Sequence, residues 1–344
     1  MGDILHALPA VTALRQAHPC WVIDWVVEPR WRALLAAEGS SGRGVTRADM
    51  PPNPAQPVVD QIHLAATKEW RKAPFSTQTR QEIKALRQDL QAGGYDVTID
   101  LQGAIRSAVV GRFAGSRRRI GEAAPRESIA RWFFTDCIST HGAHVIEQDV
   151  ELAASIAGDE LRPVQPWLPV DPIAEAWADQ ILPPGDKPAV LINPGAGWGA
   201  KRWPVERYAT VAQNLIAQGF RVLVNAGPGE EPLASTCGAA TPICCSLAQL
   251  IAITRRVALA IAGDTGPLHL ACALGRPVVG IYGPTDPSRN GPFGTRFKVL
   301  RSPESRRDHT RHQAPEAGLL TIHPEEVLQA AEELLLLEQT DATR

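Results

Sequence analysis

The sequence predicts an α/β protein built from two doubly wound parallel-sheet domains, and three observations carry that expectation. Short apolar runs of strand type alternate with helical patterns through both halves of the chain, the sequence form of repeated βαβ units. At 344 residues the chain exceeds what a single core usually holds. Between the halves, 161–172 carries four prolines, a linker composition. The expected domains are 1–160 and 173–323, followed by a last helix within 324–344.

In the first half, Asp3 stands where a helix N-cap would, and Ile4, Leu5, Leu8, Val11 and Leu14 follow with helical spacing. A strand is expected over 21–27, a short helix over 31–37 and a loop over the Gly-, Pro-, Arg- and Ser-rich stretch 39–57. A short strand at 62–64 comes next, then a helix over 81–91 closed by Gly93 and Gly94. The run YDVTIDL at 95–101 reads as a buried strand that turns at Gln102 and Gly103 into a helix over 105–113. A basic turn at 115–121 surrounds a short strand, and 128–134 is expected to be helical. The helix over 145–157 has an acidic start that suits the macrodipole. In the second half the expected order is helix 173–181, strand 189–193, helix 205–218, strand 221–225 and helix 246–253. A strand at 257–261, a helix from Pro267 that Gly275 stops, a strand at 277–282 and a helix over 324–338 complete the chain.

Hydrophobic residues make up 44% of the sequence, enough for two buried sheets, yet no apolar run reaches the roughly 18 residues of a membrane span. The opening MGDILHALPA lacks the basic region, apolar core and small-residue cleavage site of a secretory signal, so a cytoplasmic location is expected. Cys20, Cys137, Cys237, Cys244, Cys245 and Cys272 are scattered without metal-ligand spacing; they read as reduced thiols, and no metal site is expected. A formal net charge of −2 argues against a nucleic-acid binder. Basic clusters at Lys68, Arg71 and Lys72 and at Arg117, Arg118 and Arg119 would suit an anionic partner, or would be solvated faces, which is the commoner case.

The stretch AGDTGPLHLACALGRPVVGIYGPTDP at 262–287 organises the second half. It runs from the end of a strand through a small polar turn into a helix and back to a strand. The helix start offers unpaired N–H groups and the positive end of a dipole, both suited to phosphate, with Asp264 as the expected cap and Thr265 adding a hydroxyl. An ordinary crossover with a capped helix would look the same, and the turn alone favours that plainer reading. The loop NPGAGWGAKRWP at 193–204 also follows a strand. Its glycines let backbone approach a ligand, and Lys201 supplies a point charge; it is not the GxxxxGK[ST] loop, because Arg202 follows the lysine. A third turn, AGPGEE at 226–231, holds carboxylates that could accept hydrogen bonds from a ribose. Three glycine-bearing turns after strands in one domain point together to a nucleotide diphosphate bound beyond the strands' carboxyl ends.

MGDILHALPA, DLQGAIRSA, NPGAGWGAKRWP and GDTGPLHLACALGRPVVGIYGPTDP occur in this order across nearly the whole chain. Together they resemble the ADP-heptose:lipopolysaccharide heptosyltransferases, glycosyltransferase family 9. KEWRKAPFS at 68–76 and APRES at 124–128 are similar to the type I branch, which adds the first heptose to Kdo on lipid A. The resemblance implies a GT-B architecture, with two Rossmann-like domains facing a cleft. The acceptor would lie in the first domain and the ADP-sugar in the second, and the last helix would pack back on the first. It implies Asp3 as catalytic base, Lys201 on the diphosphate, Glu231 (or Glu230 beside it) at the ribose, and Asp264, Thr265, Gly266 and His269 in the donor site. Arg71, Lys72 and Arg126 become the first candidates to meet an anionic Kdo-lipid A acceptor. It further implies transfer of heptose from ADP-heptose with inversion, no cofactor, no metal, and work at the cytoplasmic face of the inner membrane.

Members of that family carry an apolar strand and a short polar turn ahead of MGD, whereas this sequence begins at Met1 of the motif. The first domain is therefore expected to lack a central strand, and Asp3 to sit on a frayed terminus. The alternatives that stay open are another family member such as the type II enzyme, a GT-B-shaped sugar-nucleotide epimerase, and a non-catalytic ADP-binding homologue. His6, one turn after Asp3, reads either as a half-buried helix histidine or as a group that orients the carboxylate. Trp21, Trp25 and Trp203 read as core or loop anchors.

Overall fold

The computed structural model describes residues 1–40, 53–227, 237–305 and 313–342, and the chain divides into two compact units between Val170 and Asp171. The first unit runs α1 (Gly2–Ala17), β1 (Asp24–Val27), a 3-10 turn (Pro29–Leu34), β2 (Gln61–Leu64), α2 (Thr67–Lys72) and α3 (Thr77–Ala92). It continues with β3 (Val97–Asp100), α4 (Ile105–Phe113), β4 (Arg118–Glu122), a second 3-10 turn (Ser128–Phe133), β5 (Asp136–Ile138) and α5 (Val145–Ala157). β1 and β2 pair in parallel, and β3, β4 and β5 form a separate parallel sheet.

α1 is apolar nearly all round, and every residue from Leu5 to Arg15 is buried, as a helix of that pattern must be. Ala10 and Leu14 pack on Val150 and Ala153 of α5. Arg15, at its last turn, reaches Asp60 at 2.5 Å and the carbonyls of Val58 at 2.9 Å, Pro19 at 3.0 Å and Trp21 at 2.6 Å, so a buried charge is both paired and hydrogen-bonded. Asp3 is not the N-cap that was expected. The Met1 carbonyl accepts from the N–H groups of Ile4 and Leu5, both at 3.1 Å, so the helix starts at Gly2 and Asp3 lies inside a closed first turn rather than on a frayed end. A second cluster packs Trp70 of α2 with Leu86 and Leu90 of α3 and Val110 of α4.

The second unit runs α6 (Pro172–Ile181), β6 (Ala189–Asn193), α7 (Val205–Ala217), β7 (Arg221–Asn225), β8 (Thr241–Ile243) and α8 (Leu247–Thr254). β9 (Leu259–Gly263), α9 (Gly266–Ala273), β10 (Val278–Tyr282), α10 (Pro287–Asn290), β11 (Phe297–Arg301) and α11 (Pro324–Ala342) follow. All six strands are parallel, in the spatial order β8-β7-β6-β9-β10-β11. Counted from β6, that is the 3-2-1-4-5-6 order of a Rossmann sheet. AVLIN, LAIAG and VVGIY, the sequences of β6, β9 and β10, are buried at every position, because helices cover both faces of a parallel sheet. α11 buries Val327, Ala330, Ala331, Leu334 and Leu335 in the core of the second unit, packed on helix α7 and on strands β9, β10 and β11. Its apolar stripe serves the second unit's own sheet. Trp203 is an anchor of the same core, with its indole N–H on the Ile322 carbonyl at 3.1 Å.

Candidate functional site

In the second unit, β6 and β9 are neighbours from which the chain winds in opposite directions, and ligands of such sheets bind beyond the carboxyl ends at this switch point. The loop after β6 carries Lys201 on a short 3-10 turn, Gly199–Lys201. The turn after β9 carries Asp264. Lys201 Nζ lies 2.5 Å from Asp264 Oδ2, with the two side chains only 15% and 13% exposed. Thr285, from the turn after β10, donates to the same oxygen at 2.7 Å. His269 Nε2, in α9, lies 3.3 Å from the other carboxylate oxygen. Burial opposes the charged carboxylate, but the His269 hydrogen bond and the Lys201 charge outweigh it and hold Asp264 well below the usual carboxylate range. Lys201 Nζ also sits 4.6 Å from the centre of the Trp198 ring, within cation–π reach.

Asp264, expected to cap α9, therefore serves Lys201 instead. Thr265 is the N-cap residue, and its hydroxyl turns back to the Gly263 carbonyl at 3.2 Å rather than into the helix. Among the described residues no side chain caps α9, so its start presents backbone donors next to a fixed cation, a geometry suited to an anion. The turn bearing Lys201 is clamped from outside. Glu316 N–H donates to the Ala200 carbonyl at 3.2 Å, and a Cβ at position 199 would stand 1.7 Å from the Gln313 carbonyl oxygen, which only Gly199 avoids.

In the first unit, Gln102 Nε2 donates to Asp3 Oδ2 at 2.7 Å, and Arg126 reaches the same oxygen at 3.7 Å. Both come from loops that are stapled together. Asp100, closing β3, accepts from the N–H groups of Gln102 at 2.9 Å and Gly103 at 3.1 Å, an Asx-type turn. Gly103 has φ of 63°, and its carbonyl accepts from Glu127 N–H at 2.9 Å. The Glu127 carboxylate accepts in return from Ile105 N–H at 2.8 Å. The Asp3 side chain is 51% exposed, so its carboxylate, held by the Gln102 amide and facing Arg126, stays open to solvent.

Residues 83–319, more than half of the chain, match the profile of Glycosyltransferase family 9 (heptosyltransferase). The chain belongs to glycosyltransferase family 9. It is 32% identical over 331 residues to lipopolysaccharide heptosyltransferase 1 of Escherichia coli strain K12, covering 91% of this chain and 94% of that protein. It is 29% identical over 303 residues to the protein of the same name from Pseudomonas aeruginosa, covering 86% and 79%. The structure of E. coli heptosyltransferase WaaC with ADP-2-deoxy-2-fluoro heptose matches with a TM-score of 0.75 and 28% identity, over 97% of this chain and 96% of that one. The α/β fold is thus of the GT-B class expected from the sequence.

In this family 9 glycosyltransferase, Lys201, Asp264, Thr265, Gly266 and His269 come together in the second unit, and Asp3 and Arg126 in the first. Glu231 and its alternative Glu230 lie outside the described residues. Arg71 and Lys72 are exposed at the end of α2, where Lys72 makes only a surface pair with Glu69 at 2.8 Å. Two of the other basic candidates are ties within the first unit: Arg118 pairs with Asp136 at 3.1 Å, and Arg119 donates to the carbonyls of Phe133 and Ser116. His6 is buried in α1 with its ring edge-on to His144. Sequence reasoning missed Gln102 and Thr285. Both lie on turns directly after strands, inside motifs already singled out, but a neutral amide and a hydroxyl give no charge signal to follow.

Proposed function

We propose that this glycosyltransferase moves a heptose from ADP-heptose to a Kdo residue of Kdo-lipid A, with inversion at the anomeric carbon. The observation that carries the reading is the cluster of Lys201, Asp264, Thr285 and His269 at the switch point, beside the uncapped start of α9. A preorganised cation and backbone donors are what a departing diphosphate needs, because its charge develops as the sugar–oxygen bond breaks. Asp3 takes the proton of the acceptor hydroxyl while that oxygen bonds to the anomeric carbon, through a transition state of oxocarbenium character. Gln102 holds the carboxylate in place. The relatives named heptosyltransferase 1, and WaaC bound to a heptose analogue of the donor, support the choice of sugar.

The acceptor is an anion, and a protein of net charge −2 must meet it with local positive charge. Arg126, beside Asp3, comes first, with Arg71 and Lys72 behind it. The site of action is the cytoplasmic face of the inner membrane, where such an acceptor is anchored; among the described residues no helix is long and apolar enough to cross a membrane. The test offers ADP-heptose with either Kdo-lipid A or Kdo-lipid A already carrying one heptose. The type I reading predicts product with the first only. Product with the second only would assign the type II reaction, and ADP binding without product on either would point to a non-catalytic homologue.

A further inference from the structure

The 3-10 turn Ser128–Phe133 carries an apolar pair that the core does not use. Residues three apart eclipse one another in a 3-10 turn. Ile129 and Trp132 therefore share a face; they are 57% and 86% exposed, while Ala130 on the other side is fully buried. The turn is held firmly. Ala130 N–H donates to the Glu127 carbonyl at 2.8 Å, Glu127 is stapled to Gly103 and Ile105, and Arg119 Nε donates to the Phe133 carbonyl at 2.9 Å. A tryptophan presented to water on a fixed base gains little for folding, which leaves the pair available as a contact surface. Two exposed arginines flank it, Arg126 and Arg131, with the exposed Glu127 between them accepting from Ile105 N–H; Arg131 is the cation nearest the pair in sequence.

We propose that this turn is a membrane wedge, in which Ile129 and Trp132 enter the interfacial layer of an anionic bilayer and Arg131 meets its headgroup phosphates. Tryptophan suits that layer because its ring is apolar and its N–H stays hydrated, and a guanidinium matches phosphate oxygens. The wedge begins two residues after Arg126, whose guanidinium lies 3.7 Å from Asp3. Docking would thus bring the base to a membrane-held sugar without pulling the lipid out. The proposal rests on the reading above only in taking the acceptor to be lipid-anchored.

The test is co-sedimentation of the full chain with vesicles of phosphatidylglycerol and phosphatidylcholine, beside vesicles of phosphatidylcholine alone. The wild type binds the anionic vesicles, and Ile129→Ser with Trp132→Ala lowers the partition coefficient by roughly tenfold or more. Trp132→Phe keeps most of the binding, and Arg131→Gln weakens it at low salt but not at high salt. Melting temperature and ADP affinity stay at wild-type values in the double variant. Its transfer to a deacylated Kdo acceptor is unchanged, while transfer to vesicle-embedded acceptor falls. Wild-type protein that ignores anionic vesicles, or a double variant that binds them as the wild type does, overturns the proposal. Loss of vesicle binding in the double variant, in a protein that transfers to no Kdo acceptor, keeps the wedge and removes the acceptor reading instead.

Discussion

Replacing Lys201 by alanine strips the cation from Asp264 and separates two consequences that can be measured independently. Removing one partner of a buried ion pair destabilises by about 3–5 kcal/mol. Asp264 would keep Thr285 and His269, and the two side chains are 15% and 13% exposed rather than sealed, so the loss belongs near or below the low end, about 2–3 kcal/mol. For a unit spanning Asp171–Arg344 this lowers the melting temperature by roughly 5–10 °C. One charge-assisted contact to the diphosphate is worth about 1.5–3 kcal/mol, so the Kd for ADP rises roughly 10- to 150-fold. Adding Asp264→Asn to Lys201→Ala removes the orphaned charge and recovers most of the stability, but not the ADP affinity. Thermal unfolding and titration calorimetry on the two variants read both quantities. Unchanged ADP affinity in Lys201→Ala, with the melting temperature lowered, would make the pair purely structural and refute its role at the donor.

Three further outcomes follow from the same geometry. Asp264 has a depressed pKa in the folded state, so its contribution is complete above the unfolded value of about 4 and is lost as pH falls toward the folded one; melting scans should drop progressively below about pH 5, and Asp264→Asn should flatten that acid limb. Asp3→Asn should lower kcat by about 10²–10⁴ while ADP affinity, measured by calorimetry, stays put; near-normal turnover would remove Asp3 as the base. Arg71→Ala with Lys72→Ala should raise the acceptor KM in a salt-dependent way and leave the donor KM alone; wild-type acceptor kinetics at low salt would place the anion elsewhere.

The strands buried on both faces were the most legible part of the chain. Ala189–Asn193 and Arg221–Asn225 match their expected bounds, because a continuous apolar run between turn residues admits few other readings. β5, β8 and β11 were not foreseen: they are short or lie at sheet edges, and Phe297–Arg301 carries Lys298 and Arg301 among its apolar residues. The clustering of Lys201 with Asp264 follows from strand order, which no local pattern contains; 63 positions apart, they meet because β6 and β9 are neighbours. The capping role expected of Asp264 failed for the same reason, since a cation from another loop outcompetes a backbone N–H. Asp3 was recognised as a candidate, but its partners Gln102 and Arg126 arrive on two loops joined through Glu127, a long-range staple.

Heptose transfer itself is measured most directly by incubating the full chain with ADP-heptose and Kdo-lipid A, weighing the acceptor by mass spectrometry and reading the new linkage by NMR. The predicted result is an acceptor heavier by one heptose, ADP released in equal amount, and the opposite anomeric configuration to that of the donor. ADP release with no gain in acceptor mass, or a product that retains the donor's configuration, would contradict the proposed reaction.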